Sequence, residues 1–583
     1  MLSVLVESPE EAAEYLARID PSMVAFDTET TGLEVRNTVD KPRIVQFSWR
    51  PWQEAVVIPV TAPYFPVIRR FFERAERVVG HNVKFDMHAL ANVGIDVVDL
   101  VEPERVYDTL WLARFVDERT SGKLKDLATR YLRADAGASQ AALKKKMRDN
   151  GWTWENVPIR FLVQYGGNDA IITGELYDLF MPRIPWASEA LLREQRLHPI
   201  LYRMERVGLT VDHDLLESTT RDYEIAMEEA EATLEEIAPG LNPRSPVQVT
   251  AAFRKRGVEV PDTRAVTLMQ MDDELARTLL TYRDAHKTVS TYLHPWAEMV
   301  KQTGRLHPWF NQLGTKTGRF SSSDPNLQNI TRGHVLRDIF VAAPESKIVV
   351  ADWNQMELRL YAHYADDENM RAAFLSGDDI YQQVGDLLGV PRQVGKMIML
   401  GSIYGAGPKK LRIQCVEMAI RFGYHDLIPS LREYDWSEMY DRFHDQYRIK
   451  NLTRACELQA RRRGMLDEPY IRTWGGRRQR PKLVLTKQVI NGRRQQVAIF
   501  KDLANSLVQG GSADMMKQAM IDLDQEGWGG YMRLTVHDEL VLEVPNAQVP
   551  EAERALEVAM THNEFIPPLT VNVSVANRYG EAK

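Results

Sequence analysis

AFDTETTGLE, residues 25–34, sets two acids one residue apart directly behind an apolar run, Met23 to Phe26. On a strand, side chains at i and i+2 share a face, so Asp27 and Glu29 project together from the end of a buried segment. Carboxylates so placed repel each other, and desolvation sharpens the repulsion. The arrangement calls for a positive charge between them. Two further acids join the pair: VVGHNVKFDMHAL (78–90) spaces Asn82 and Asp86 by four, and FLVQYGGNDAIITGEL (161–176) spaces Tyr165 and Asp169 by four. Residues four apart are neighbours on one helix face, so Tyr165 can orient whatever Asp169 holds. Asp27, Glu29, Asp86 and Asp169 offer only hard oxygen ligands, which suit Mg2+ or Mn2+ rather than zinc. Two such ions about 3.5–4 Å apart activate a water and stabilise the leaving oxygen in phosphodiester hydrolysis.

At 583 residues, of which 44% are hydrophobic and 26% charged, the chain is expected to be an ordinary soluble globular protein of several domains. Two cysteines, Cys415 and Cys456, exclude a disulfide framework and a structural zinc site and fit a reducing compartment. The N-terminus has no basic region ahead of an apolar one, so no targeting peptide is expected, and no apolar run reaches the ~18 residues of a membrane span. The expectation is a cytoplasmic protein without a membrane partner. The net charge of −8 argues weakly against a polyanion partner, but from Arg448 to Lys501 there are 15 Lys and Arg against three acids. That block reads as the footprint of a nucleic-acid binder.

Along the chain, residues 1–186 alternate short apolar runs with helical periods, an α/β pattern that Pro-rich punctuation (MPRIPW, 181–186) closes. From 187 to about 300 the pattern is helical, and two long helices there can project as an arm. Beyond 300, strand-like runs mix with long helices, giving α+β. In SKIVVADWNQMELRL (346–360) the apolar run places Asp352 at a strand end, and in YMRLTVHDELVLEV (531–544) two alternating runs predict a hairpin with Asp538 and Glu539 near its tip. In PRQVGKMIMLGSIYG (391–405) Arg392, Lys396, Leu400 and Tyr404 are spaced by four and fall within roughly a 120° arc of a helix. Two cations and a phenol on one face can grip a triphosphate and a sugar.

The order DxE, NxxxD, YxxxD resembles the 3′–5′ exonucleases of the DEDD superfamily that carry a tyrosine, which in that family positions the attacking water. TGRFSSSDPNLQNI (317–330), DWNQMELR, RxxxK(x7)YG and VHDE resemble, in order and spacing, the family A DNA polymerases of the bacterial DNA polymerase I type. The resemblance covers essentially the whole chain. It implies an α/β RNase H-like exonuclease domain (1–186) followed by an α+β right-hand polymerase domain (187–583). Within the latter, 187–300 would be mostly thumb, 301–365 and 500–583 mostly palm, and 366–499 mostly fingers and connecting segments.

The same resemblance implies roles. Asp352 and Asp538 are expected to be the metal-binding carboxylates of synthesis, with Glu539 a secondary acid and two Mg2+ or Mn2+ ions in each active site. Arg392 and Lys396 would grip the triphosphate, Lys396 also donating a proton to pyrophosphate. Tyr404 would lie beside the nascent pair, and Glu357 with Gln355 would close off the 2′ position. Arg319, Lys501, Asn505, Gln509 and His537 match positions that touch the primer–template. Two positions depart from the family: Leu400 stands where an aromatic residue is usual, and Lys501 where an arginine is usual. The resemblance further implies primer–template DNA and dNTPs as partners, a monomer, replisome accessory proteins, no 5′-nuclease domain and no thioredoxin-binding insertion, all suggesting a phage replicative enzyme. The alternatives are a nuclease whose C-terminal half only positions DNA and a non-catalytic nucleic-acid scaffold.

Overall fold

The computed structural model describes residues 2–463, 469–490, 493–500 and 502–582. Lys501 lies outside them. The first unit is a mixed six-stranded sheet, in the order β1 (Leu2–Leu5), β4 (Glu54–Pro59), β3 (Pro42–Trp49), β2 (Val24–Thr30), β5 (Val78–Gly80), β6 (Val106–Asp108). Central β2 runs antiparallel to β3, with Asp27 opposite Gln46 and Glu29 opposite Ile44, and parallel to β5 only at Val24 and Ala25. The second half of β2 thus lacks a strand on that side. The backbone N–H of Thr28 is taken instead by a side chain, donating to Asp86 Oδ1 at 2.9 Å while the Thr28 hydroxyl donates to the same oxygen at 2.7 Å. A strand edge that would otherwise waste a buried donor becomes the point where the second acid is tied to the first pair.

The helix Ile159–Phe180 lies across this sheet and is buried along most of its length. Its approach depends on small residues. A Cβ at Gly166 would sit 2.5 Å from Nε2 of Gln46, the residue whose amide holds Asp27, and one at Gly174 would sit 2.2 Å from the ring of Trp52. That closeness brings Tyr165 and Asp169 down onto the carboxyl end of β2.

The second unit is built on an antiparallel four-stranded sheet, in the order β8 (Met532–Val536), β9 (Glu539–Pro545), β7 (Ser346–Trp353), β10 (Val571–Ala576). Helix Leu503–Gln525 backs it. This helix buries both faces and therefore has to neutralise Asp514 and Lys517 internally, against Arg477 (2.6 Å) and Glu194 (2.5 Å). Helix Ser188–Val207, the first of the 187–300 segment expected to be mostly thumb, packs here through Leu197, Ile200, Leu201 and Met204. The arm itself is the antiparallel pair His213–Ile237 and Glu274–Thr288, with a small core of its own around Leu234, Phe253, Leu275 and Leu279. Its tip meets the helical segments after 400 through Arg264–Glu417 (3.4 Å) and Arg432–Gln270 (2.9 Å). Among the described residues, no helix is long and apolar enough to cross a membrane.

The two units meet over a buried charge network. Glu205 receives Lys84 and His88 (2.7 Å) from helix Val83–Ala91, the helix that carries Asp86, and also accepts the Phe310 N–H at 2.6 Å. The Lys84 ammonium donates to the Phe310 carbonyl at 2.7 Å.

Gly174→Ala places a methyl group against Trp52, whose indole N–H is held by Asp178 at 2.6 Å and cannot swing aside. The variant is expected to lose about 1–3 kcal/mol, read as a lower midpoint in denaturant unfolding.

Candidate active sites

The first site is a cleft of about 310 Å³ at the carboxyl end of β2, lined by Asp27, Glu29, Asn82, Asp86, Tyr165 and Asp169 among others. Asp27, Glu29 and Asp169 each present an oxygen within 4.8 Å of the others. Asp86 stands behind them on Thr28. Asp27 accepts from Gln46 Nε2 at 2.6 Å, and Asp169 is in contact with the ammonium of Lys125. Tyr165 accepts from Gln140 Nε2 at 3.4 Å. Burial, and then mutual repulsion, push Asp27 and Glu29 well above the usual carboxylate range. Burial raises Asp169 and lifts Asp86 to about 7. Acids this reluctant to ionise fit a site completed by cations, and the all-oxygen donor set fits hard divalent ones.

Asn82 is not on the helix with Asp86. It precedes that helix in the left-handed conformation (φ 58°), which asparagine tolerates better than most residues. The reversal is held by Asp108, at the end of β6, whose carboxylate accepts from the N–H groups of Asn82 (2.9 Å), Val83 (3.0 Å) and Leu110 (2.8 Å) and so caps two helices at once. Sequence reasoning passed over Asp108. The signal available was DT before an apolar run, an ordinary helix start, with nothing to reveal the second helix it serves. Lys125 was also missed, because its partner is 44 residues away.

The second site is a pocket of about 560 Å³ that collects Arg332, Asp352, Gln355, Lys396, His537, Asp538 and Glu539. Asp352 is the penultimate residue of β7 and pairs in register with Glu539, the first of β9. His537 (φ 57°) and Asp538 form the turn between β8 and β9. Burial and the neighbouring Asp352 push Asp538 up to about 6, and burial raises Asp352. Arg332, absent from the sequence-based set, bridges Asp352 Oδ2 (2.6 Å) and Glu539 Oε2 (2.9 Å). Tyr579 donates to Glu539 from the far side.

Arg392 begins the helix Arg392–Ile403 and is paired with Asp379 at 2.5 Å; Lys396 lies 5.5 Å from the Tyr381 ring on the same face. Leu400 is half-buried against the core. Tyr404 falls one residue past the helix end, its N–H still donating to the Leu400 carbonyl at 3.2 Å. Its phenol contacts Glu357, which is also paired with Arg319, and Gln509 hydrogen-bonds the same phenol. Gln355 turns through a left-handed conformation (φ 49°) to start the helix that bears Glu357. Asn505 is half-buried on helix Leu503–Gln525. The basic block at 448–501 is only partly a surface. Arg477 is buried against Asp514, and Arg480 pairs with Glu118 at 2.7 Å. Within the block read as a nucleic-acid footprint these two cations are turned inward, Arg477 because the buried Asp514 needs a partner and Arg480 because it pairs with the buried Glu118.

A model of DNA polymerase family A matches residues 213–581, and one of 3′–5′ exonuclease domains matches residues 4–185. The chain belongs to DNA polymerase family A. It is 30% identical to the DNA polymerase I of Chloroflexus aurantiacus over 90% of this chain and 56% of the relative. It is 26% identical to the DNA polymerase of Mycobacterium phage L5 over 94% and 91%. The chain thus spans a little over half the length of the Chloroflexus relative. A solved structure described as the POL domain of Pol1 from M. smegmatis, in complex with DNA primer-template and dNTP, superposes with a TM-score of 0.76. It is 24% identical and covers 99% of each chain. The fold is therefore that of the family A polymerases: an RNase H-like exonuclease domain followed by a right-handed polymerase domain.

Without divalent cations, the raised carboxyl of Asp86 favours the folded state only while protonated. Its contribution to stability is expected to be full below pH about 4, the ordinary carboxylate range, and to be lost as pH rises through about 7. Thermal melts in chelator against Mg2+ should diverge across that window, the metal giving the larger rise at pH 7.

Proposed function

We propose that this family A chain extends the 3′ end of a DNA primer on a template with dNTPs, and removes mispaired 3′ nucleotides at its other site. The observation that carries the reading is the pocket where Asp352, next to the end of its strand, meets Asp538 in the turn before the adjoining strand, with Lys396 on a helix lining the same pocket. The four-stranded sheet would be the palm, the helical pair 213–300 most of the thumb, and 366–499 the fingers with connecting segments.

Asp352 and Asp538, with Glu539 beside them, would hold the divalent ions of synthesis, and Asp27, Glu29, Asp86 and Asp169 those of excision. Such ions, when bound, stabilise charge on the attacking and leaving oxygens of an in-line displacement. The side chains do the rest. Lys396 and Arg392 bring cationic donors to a triphosphate, Arg392 by exchanging Asp379 for phosphate oxygens. Lys396 is placed to give a proton to departing pyrophosphate. Glu357, tied to both Arg319 and Tyr404, forms a wall where a 2′-hydroxyl would sit. Leu400, one helix turn before Tyr404, would offer the nucleotide an aliphatic side chain in place of a ring that could stack on it. Arg319 and His537 at the turn of the hairpin, with Gln509 on the Tyr404 phenol and Asn505 one turn before it on the same helix, would test the minor groove of the new pair, whose acceptors are alike for every correct match. Tyr165 would orient the water that attacks the terminal phosphodiester. Similarity to a phage DNA polymerase along most of both chains supports a phage-type role; replication as a monomer, with accessory proteins, in the host cytoplasm would follow from that role.

Asp352→Ala and Asp538→Ala are each expected to slow Mg2+-dependent primer extension by at least ~10³-fold, as losing several kcal/mol of transition-state stabilisation implies, while excision persists. Asp27→Ala with Glu29→Ala should do the reverse. A labelled primer–template gel with and without dNTPs reads both, and extension surviving in both palm variants rejects the reading. Duplex affinity should fall linearly on a log–log salt scale, and a flat response would place the remaining basic residues away from phosphate.

A further inference from the structure

The exonuclease cluster already contains one cation of its own. Lys125 reaches in from helix Leu124–Tyr131, its ammonium in contact with Asp169 Oδ1 and 5.3 Å from the Tyr165 ring centroid. Its side chain is 16% exposed and Asp169 is 8% exposed, so the pair is largely withdrawn from water. The backbone that delivers it is pinned: the Gly122 carbonyl, two residues before the helix, bonds the His81 ring at 2.9 Å, and His81 in turn meets Thr109 at 2.8 Å. A fixed backbone with a four-carbon stem leaves the ammonium as the part that moves.

Asp27, Glu29 and Asp169 each bring an oxygen to within 4.8 Å of the others, and Lys125 is bound to Oδ1 of Asp169. A divalent ion entering the cluster has to take the Asp169 carboxylate from that ammonium or share it. From this geometry we infer that Lys125 is a displaceable counter-ion of the exonuclease site: it holds Asp169 in place in the metal-free protein and competes with divalent ions for the carboxylates. Lys125 thereby sets the metal concentration at which excision begins. It is a positioning residue, acting on the chemistry through Asp169. The inference rests on the exonuclease reading above and adds to it a threshold that the four acids alone would not have.

The competition has a definite sign. Removing the ammonium leaves the acids unscreened when metal is absent, and it leaves the incoming ion nothing to evict. Both effects tighten metal binding. Had Lys125 only anchored its helix, its loss would weaken the fold and leave metal affinity unchanged. Had it chiefly held the substrate's phosphate, its loss would raise the KM for DNA at saturating metal.

The test is a Mn2+ titration of the full chain, with free Mn2+ followed by electron paramagnetic resonance. The chain carrying Asp27→Ala and Glu29→Ala serves as the blank that removes the exonuclease sites. Lys125→Met is expected to bind Mn2+ at those sites about tenfold more tightly than the parent, and excision should reach half its maximum at a correspondingly lower Mn2+ concentration. Lys125→Arg keeps the charge and adds a forked grip on carboxylate, so it should bind Mn2+ no more tightly than the parent; this decides the matter if the Met variant does not fold. Unchanged or weaker Mn2+ binding by Lys125→Met, or tighter binding by Lys125→Arg, overturns the inference while leaving the exonuclease reading intact. No Mn2+ lost on making the blank overturns both.

Discussion

Carboxylates gathered where water is scarce repel one another, and a fold that keeps them together has to spend other contacts doing so. In the exonuclease domain those contacts are specific. Gln46 secures Asp27, the two donors of Thr28 secure Asp86, and the glycines of the helix Ile159–Phe180 let Asp169 approach. Each of these contacts is a hydrogen bond to an oxygen or the absence of a side chain, and none adds a full positive charge. Lys125 on Asp169 apart, the local structure orients the acids without neutralising them.

The two sites handle the interim in different ways. In the exonuclease cleft a lysine supplies a single point charge on a flexible stem. In the palm, Arg332 lays a planar guanidinium across Asp352 and Glu539, while Tyr579 and Arg337, the latter 3.7 Å away, hold Glu539 from behind. An arginine stays charged at any accessible pH and grips two carboxylates at once. Asp538 is left outside its reach, with a carboxyl pushed up to about 6 by burial and by Asp352. The pocket thus stands half neutralised.

Much of this was legible in the chain. The two-residue spacing of Asp27 and Glu29 on a buried strand, the strand end at Asp352 and the hairpin turn at Asp538 are local features, and the periodicities that announce them survive in the fold. Helix spacing nearly sufficed for Arg392 to Tyr404, failing only in the last residue, where Gly405 turns the chain with a positive φ. What could not be read were groups whose meaning is supplied by distant partners. Asp108 serves two helices, and Lys125 and Arg332 take their meaning from acids far away in the chain. The run of basic residues misled in the opposite direction, since charge density in a sequence does not say which guanidinium a buried aspartate will claim. Helix Ser188–Val207 is rich in charged residues, yet its Glu194 and Glu205 are buried against Lys517, Lys84 and His88.

That last trio bears on how the two domains are inherited. Lys84 and His88 belong to one domain and Glu205 to the segment that joins the other, and all three are sealed from solvent where the halves abut. Exchanging either half with that of a distant relative would strand an unpaired charge in the seam unless the complementary residues travelled too. Because Lys84 lies two positions before Asp86, a mismatch there would unsettle the helix that presents a nuclease acid. Electrostatics at this junction, more than loop length, therefore sets which halves can be joined.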